Sequence, residues 1–583
     1  MGDTTTGPDP SRDTRLAGQV ADLARLLRTG RRGRHIIARV LALVTVISAT
    51  ALAQILLNAW NEPFYDALTH KDFKAFLTQI GVFAVLAGGL LVLNVGQLWL
   101  DQTLKLALRR RLFNALLRAW MRPGRALRLA RAGRIGENPD QRLQADVDSL
   151  SDLSVTLGIG LFQATLLLFS FIGVLWQHSS GHPLWIAGRA VEIPGFMVWC
   201  ALFYASAASW LSWRVGRPLV AMSAERAARE ADFRFEIVRV NEAAEGITLQ
   251  RGEAAEVRRI EAGFARLAEV IGGVIRAMVG LTWVSAGYGW FTIVAPILAA
   301  APVYFTTDMT IGELMMVVGA FNQVQGSLRW FVNNFAGIAN WRATLDRVIS
   351  FHRALRAIPG DDCATGPGVI ARCEAPGAIE IQGLRVVTPY VAVRLGEDPI
   401  RLEPGGRILL QGSSGSGKTI LFRTLAGLWD RGEGRIMMPA ATSVMYLPTR
   451  AYLPPGPLTD ALCYPHFGAH YPRAAIEAAL TLVGLDHLAA QLDVDDHWDR
   501  LLSESDKQCL TFARVLLARP DWLVMDDTLV QIDPEALPRI VGLLQGALAP
   551  VGILAIGNGA TPKGIFTRRV EILTTAGEAG VEA

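Results

Sequence analysis

A chain of 583 residues has room for roughly four soluble domains at about 150 residues each, or for fewer if one lies in a membrane. Composition favours the second, because 51% of the residues are hydrophobic, only 19% are charged against ~25% in ordinary soluble chains, and mean hydropathy is +0.29. This argues against a disordered, a wholly soluble or a wholly membrane-embedded chain, and a net charge of +4 from 57 basic and 53 acidic residues is too balanced to imply a nucleic-acid partner.

Residues 1–35 are polar and arginine-rich, and the first apolar run begins too late for a cleaved signal peptide, so it is expected to stay in the mature protein. Six stretches then approach or exceed the ~20 apolar residues a helix needs to cross a bilayer: 36–58, 77–100, 154–176, 193–213, 279–302 and 313–336. Arginines alternate from loop to loop. Arg25, Arg28, Arg31, Arg32 and Arg34 precede the first span, a run from Arg109 to Arg134 follows the second, and Arg214 to Arg239 follow the fourth. The 59–76 and 177–192 loops carry only Lys71, Lys74 and Arg189, and the 303–312 loop carries no basic residue, so the positive-inside rule puts both termini in the cytoplasm. The long loops 101–153 and 214–278 read as helices that continue the spans beyond the membrane. On the sixth span Asn322, Gln325, Arg329 and Asn333 share one helical face. Such a stripe suits the lining of a transport path or bonding between helices, and a charged residue there should avoid lipid.

A boundary follows at about 352–376, where Ile358-Pro-Gly-Asp-Asp and Thr365-Gly-Pro-Gly supply turn formers, and beyond it short apolar strands alternate with helical stretches, the α/β pattern. Gly412, Ser413, Ser414, Gly415, Ser416, Gly417, Lys418 and Thr419 form a complete G-x-x-x-x-G-K-[ST] loop between a strand-like run and a helix-like run. In that setting backbone N–H groups cradle phosphate, Lys418 reaches the β and γ phosphates of ATP, and Thr419 offers its hydroxyl to Mg²⁺. The apolar strand Trp522-Leu-Val-Met ends on Asp526 and Asp527. Asp526 suits Mg²⁺, and Asp527 stands where a residue that polarises the attacking water is wanted. The five cysteines, Cys200, Cys363, Cys373, Cys463 and Cys509, show no metal-binding spacing.

A polytopic permease followed by these motifs resembles a half-size ATP-binding cassette (ABC) transporter with the permease and ATPase fused. The strings Trp60-Asn-Glu-Pro-Phe-Tyr-Asp-Ala-Leu68, Asn138-Pro-Asp-Gln-Arg142, Ile193-Pro-Gly-Phe-Met-Val-Trp199, Glu230-Ala-Asp-Phe-Arg-Phe235 and Phe321-Asn-Gln-Val-Gln-Gly326 are similar to subfamily D. That group includes the peroxisomal fatty-acyl transporters and bacterial fused relatives of the peptide-uptake permeases. The resemblance implies an all-α six-helix transmembrane domain of the exporter type followed by an α/β P-loop nucleotide-binding domain. The expected division is a cytoplasmic segment at 1–35, the permease at 36–351, a linker at 352–376 and the ATPase at 377–583. It further implies a multi-pass protein of the bacterial inner membrane that pairs with a second half-transporter, the same or different, each ATP lying between one phosphate loop and the other chain's signature loop. A small molecule, a lipid-like compound or a peptide would be the substrate. Residues 241–252 match the coupling segment.

Four motifs of the ATP site depart from the family pattern. The signature, usually Leu-Ser-Gly-Gly-Gln, aligns with Leu502-Ser-Glu-Ser-Asp506, keeping Ser503 and replacing the glycines with Glu504 and Ser505. Thr449 aligns with the glutamine that senses metal and water, Asn558 with the switch histidine, and Asp527 with the catalytic glutamate. Thr388 falls near the place of the adenine-stacking aromatic, with Tyr390 nearby. Two readings follow: an ATP-driven permease, or an ATP-binding, hydrolytically weak half that supports a competent partner. A membrane-tethered kinase is disfavoured by the lack of an acceptor domain.

Overall fold

The structure, a computed structural model, describes residues 16–28, 31–130, 138–179, 184–186, 189–191, 193–306, 309–358, 368–375, 377–388, 391–440, 442–466, 470–558 and 564–576. Arg131, Arg134, Cys363 and Tyr390 therefore lie outside the described residues. The chain divides into two compact units, one of residues 1–120 and 137–355, the other of residues 121–136 and 356–583.

The first unit is helical. In chain order it holds α1 (Leu16–Arg28), α2 (Arg31–Ala59), α3 (Asn61–Thr69) and α4 (Phe73–Trp120); α5 (Arg125–Ala130) belongs to the second unit. Then come α6 (Pro139–Gln141), α7 (Val147–Ser179), a two-stranded antiparallel ribbon of β1 (Leu184–Ile186) and β2 (Arg189–Val191), α8 (Phe196–Glu242), α9 (Ala244–Leu249), α10 (Glu253–Thr306), α11 (Ile311–Asn333) and α12 (Phe335–Ala357). At ~1.5 Å per residue, the 48 residues of α4, 47 of α8 and 54 of α10 give about 70 to 80 Å of helix against ~30 Å of hydrocarbon, so each extends far beyond a bilayer.

Among the described residues five helices are long and apolar enough to cross a membrane. The predicted sixth span is the 23-residue α11, which is long enough but more polar, and which buries Leu314, Val317, Ala320, Phe321 and Val324 against other helices of this unit. Its position inside the bundle explains how polar residues are tolerated. Gln325 is buried and donates to the Tyr288 hydroxyl at 2.8 Å and Thr292 at 3.3 Å, while the Tyr204 hydroxyl donates to the Tyr288 carbonyl at 3.0 Å. Arg329 lies 5.0 Å over the Tyr288 ring, and Asn322 and Asn333 are exposed. The stripe thus divides into an interhelical amide and a half-buried guanidinium.

The start of α11 is fixed twice. Thr310 and Glu313 form a reciprocal capping box, and Asp66 of α3 accepts from the Gly312 amide at 3.1 Å and the Thr310 hydroxyl at 3.3 Å. A Cβ at Gly312 would come within 2.3 Å of the Glu62 carbonyl, which is why glycine stands there. At the other end of the unit, Arg347 of α12 grips Asp146 with contacts of 2.8 to 3.1 Å, and Arg353 reaches Asp22 of α1 at 2.7 Å.

The second unit is built on a ten-stranded sheet. Its strands are β3 (Ala371–Glu374), β4 (Ile379–Val387), β5 (Val391–Leu395), β6 (Ile400–Leu402), β7 (Arg407–Gln411), β8 (Gly432–Met438), β9 (Val444–Leu447), β12 (Trp522–Asp526), β13 (Gly552–Gly557) and β14 (Arg568–Ala576), with β10 (Gly456–Pro457) and β11 (Asp495–Asp496) paired separately. The order is β3-β8-β4-β5-β14-β7-β13-β12-β9, with β6 beside β4, and the run β14-β7-β13-β12-β9 is parallel. Its helices are α13 (Lys418–Leu425), α14 (Leu458–Cys463), α15 (Arg473–Val483), α16 (Trp498–Leu501), α17 (Glu504–Ala518) and α18 (Leu537–Gln545). Because side chains alternate along a strand, Leu409, Leu523, Met525, Ile553 and Ala555 join one core with α14, α15 and α17, while Ile408, Leu410, Val524, Leu554 and Ile556 join the other with α13. Strands buried on both faces read as continuous apolar runs.

Candidate nucleotide site

The parallel register brings the site together. Met525 pairs with Leu447, Asp526 with Ile556, and Gly557 with Gln411, so the carboxyl ends of β7, β13, β12 and β9 lie side by side. The next residues on those strands are the phosphate loop, Asn558, Asp527 and the Pro448–Thr449 turn, at the edge where open parallel sheets bind ligands.

The phosphate loop is shaped by its glycines. Gly415 and Gly417 have φ of +82° and +78°, values that side chains rarely adopt, and a Cβ at Gly417 would approach Val393 to 2.4 Å. A Cβ at Gly412 would meet the Ser416 hydroxyl at 2.2 Å. Ser413, Ser414 and Gly415 are exposed, Ser416 is buried with its hydroxyl unpartnered, and Gly417 caps α13. Lys418 and Thr419 open that helix, whose first amides are free for an anion.

Asp526 ends a strand buried along its whole length and is itself buried. One carboxylate oxygen, Oδ2, accepts from the Thr449 hydroxyl at 3.1 Å, and the same hydroxyl lies 3.1 Å from the Asp526 carbonyl. The other oxygen, Oδ1, is buried without a partner. Burial pushes the Asp526 carboxyl above the usual carboxylate range, with the Thr449 hydroxyl opposing the shift. Asp527 takes the left-handed conformation with φ of +44°, donates its amide to Ile556 at 2.8 Å, and places Oδ2 2.7 Å from Lys418 Nζ. Its Oδ1 is also buried and unpartnered. Orphaned carboxylate and hydroxyl oxygens beside an ammonium fit a phosphate-bound cation and its phosphates. Thr419, Asp526 and Lys418 are the side chains here that would hold them.

The signature segment engages its side chains within its own unit. Ser503 caps α17: its hydroxyl accepts from the Asp506 amide at 3.1 Å and donates to the Asp506 carboxylate at 2.8 Å. Ser505 points inward, buried, and its hydroxyl accepts from the Asp533 amide at 3.0 Å. Glu504 pairs with Lys507 at 2.8 Å. Thr388 closes its own turn, its hydroxyl donating to the Val391 carbonyl at 2.8 Å. The sequence assigns no role to two buried polar residues of α17. Gln508 is fully buried and donates to the Thr449 carbonyl at 2.7 Å, and Arg514 donates to the carbonyls of Ala461 and Tyr452. Burial pulls the Arg514 guanidinium down to about 10. The helix period carries a signal for Gln508, which falls four residues before the buried Phe512 on α17.

A parallel-sheet ATPase unit with this loop and carboxylate pair, joined to a bundle of membrane-length helices, defines the class of ATP-driven membrane transporters. The comparisons with known proteins agree. A family model described as ABC transporter transmembrane region 2 matches residues 27–305, and one described as ABC transporter matches residues 397–530. The inner membrane ABC transporter ATP-binding protein YddA of Escherichia coli (strain K12) is 25% identical over 519 residues, covering 89% of this chain and 90% of that one. ABC transporter D family member 2, chloroplastic, of Arabidopsis thaliana is 25% identical over 604 residues, covering 92% and 83%. A solved structure of a bacterial Atm1-family ABC exporter with ATP bound shares the fold, with a TM-score of 0.67 at 16% identity over 90% of this chain and 91% of that one. The chain is a half-size ABC transporter, a membrane-embedded permease fused to an ABC-type ATPase.

Proposed function

We propose that this chain is one half of a dimeric transporter of a bacterial inner membrane, with both termini in the cytoplasm, which binds MgATP readily but hydrolyses it slowly. The observation that carries this reading is the pairing of a fully formed phosphate cradle with a Walker-type carboxylate whose Oδ1 is buried and unpartnered. Gly412 to Thr419 would hold the phosphates, Lys418 would neutralise their charge, and Asp526 with Thr419 would hold Mg²⁺. Bound Mg²⁺ would supply further neutralisation of the β and γ phosphates. Asp527 and Asn558 stand at the hydrolytic positions.

Slow turnover is supported by what those groups are doing. Asp527 forms an ion pair with Lys418, Thr449 holds Asp526, and the Ser503 hydroxyl is engaged by Asp506. An Asp in place of Glu is shorter by one methylene, and misplacement by ~1 Å costs about 10²-fold in rate. Asn558 cannot carry the proton that a histidine carries. In the membrane unit Arg329, with no ion pair among the described residues and a guanidinium over Tyr288, belongs to the transport path. The test is nucleotide binding and ATPase measured on the purified chain in lipid, with Lys418→Ala as the blank. A wild-type chain that binds no nucleotide would refute the reading.

A further inference from the structure

A continuous set of hydrogen bonds runs from Asp526 to α17. The Thr449 hydroxyl meets Asp526 Oδ2, the Thr449 carbonyl accepts from Gln508 Nε2 at 2.7 Å, and the Pro448 carbonyl accepts from the same nitrogen at 3.3 Å. Gln508 is 0% exposed. Pro448 and Thr449 follow the last residue of β9, where the strand ladder has ended, so a protein donor for their carbonyls has to come from outside the ladder. The amide of Gln508 supplies it. Only a side chain with an N–H group, at this position on the helix, reaches both oxygens.

The consequence lies at Asp526. A hydroxyl carries one proton, and here it is directed to the Asp526 carboxylate and carbonyl, which engages Oδ2 and leaves the buried Oδ1 as the oxygen without a partner. Thr449 stays in that place because Gln508 holds its backbone. One turn earlier on the same side of α17 the Ser505 hydroxyl accepts from the Asp533 amide, so the helix that carries Gln508 is itself anchored to the segment that follows the strand ending on Asp526.

We propose that Gln508 is a positioning residue for the metal carboxylate: acting through Thr449, it sets which oxygen of Asp526 meets the cation that accompanies ATP. The inference rests on the nucleotide-binding reading of this site, and two measurements separate them. Affinity for ATP is measured by calorimetry on the full chain in nanodiscs, once with excess Mg²⁺ and once with EDTA. Binding under EDTA tests the nucleotide reading, and the ratio of the two affinities tests the positioning role. Removing a group that orients a metal ligand costs metal affinity about 10-fold or more. Gln508→Leu is therefore expected to shrink the Mg²⁺-dependent gain by about 10-fold while leaving EDTA binding within about 2-fold. Thr449→Val should do the same, the double variant should lose no more than the larger single change, and Thr449→Ser should keep the gain. Should Gln508→Leu fail to fold, Thr449→Val and Thr449→Ser carry the comparison alone. An unchanged ratio in Thr449→Val or Gln508→Leu, a parallel loss of both affinities, or additive losses in the double variant would overturn the proposal. No binding by the wild-type chain under either condition would overturn the nucleotide reading and this inference with it.

Discussion

At the residue scale the phosphate-loop lysine is held by a carboxylate of its own chain. The Lys418–Asp527 contact of 2.7 Å joins two side chains that are 12% and 21% exposed, so solvent screens it only in part. A triphosphate must take Lys418 from Asp527, and charge-assisted bonds of this kind are worth ~1.5–3 kcal/mol. Lys418→Ala should therefore weaken MgATP binding by roughly 10- to 100-fold in calorimetry; equal affinity of variant and wild type would show that Lys418 does not touch the nucleotide. The phosphate loop and the carboxylate pair were legible from the residues because each is a short motif whose spacing is imposed by backbone geometry. Gln508 and the inward turn of Ser505 were not, since both depend on which face of α17 meets the sheet, and that is decided by packing across distant segments. The stripe on α11 was half legible: its period showed a common face, but not that Gln325 would be spent on Tyr288 while Asn322 stayed exposed.

At the scale of elements, α17 and α11 each start on a serine or threonine cap, and the first turn of each helix is tied to another part of its unit. Restoring glycine at position 505 would remove the buried hydroxyl that accepts from the amide of exposed Asp533, a bond worth roughly 0.5–1.5 kcal/mol. Ser505→Gly should lower the unfolding midpoint of the ATPase unit in differential scanning calorimetry, and an unchanged midpoint would contradict the assigned bond. In the membrane unit Asp66 bridges α3 to the first turn of α11. Asp66→Ala should cost about 1 kcal/mol, the usual value of a lost cap, while Asp66→Asn, which keeps an acceptor, should cost less. Equal thermal stability of both variants and the wild type in detergent would show that the bridge contributes nothing. The subfamily strings thus acquire a physical reason: Trp60 to Leu68 form the short helix that clamps α11, and Gly312 is small because α3 lies against it.

For the whole molecule, the ATPase and the permease are separate compact units of one chain, and the account turns on whether the first turns over ATP fast enough to drive the second. Each departure at the ATP site occurs in every copy of the chain, so a homodimer contains all of them twice. The measurement that tests this most directly is the steady-state ATPase rate of the purified chain in proteoliposomes, wild type beside Lys418→Ala and beside the double variant Asp527→Glu with Asn558→His. The account predicts a wild-type rate only slightly above the Lys418→Ala blank and a clear rise in the double variant, of about 10-fold or more if correct placement of the carboxylate recovers part of the ~10²-fold loss. A wild-type chain that by itself hydrolyses ATP as fast as a transporter with an unaltered site, with no gain in the double variant, would contradict it.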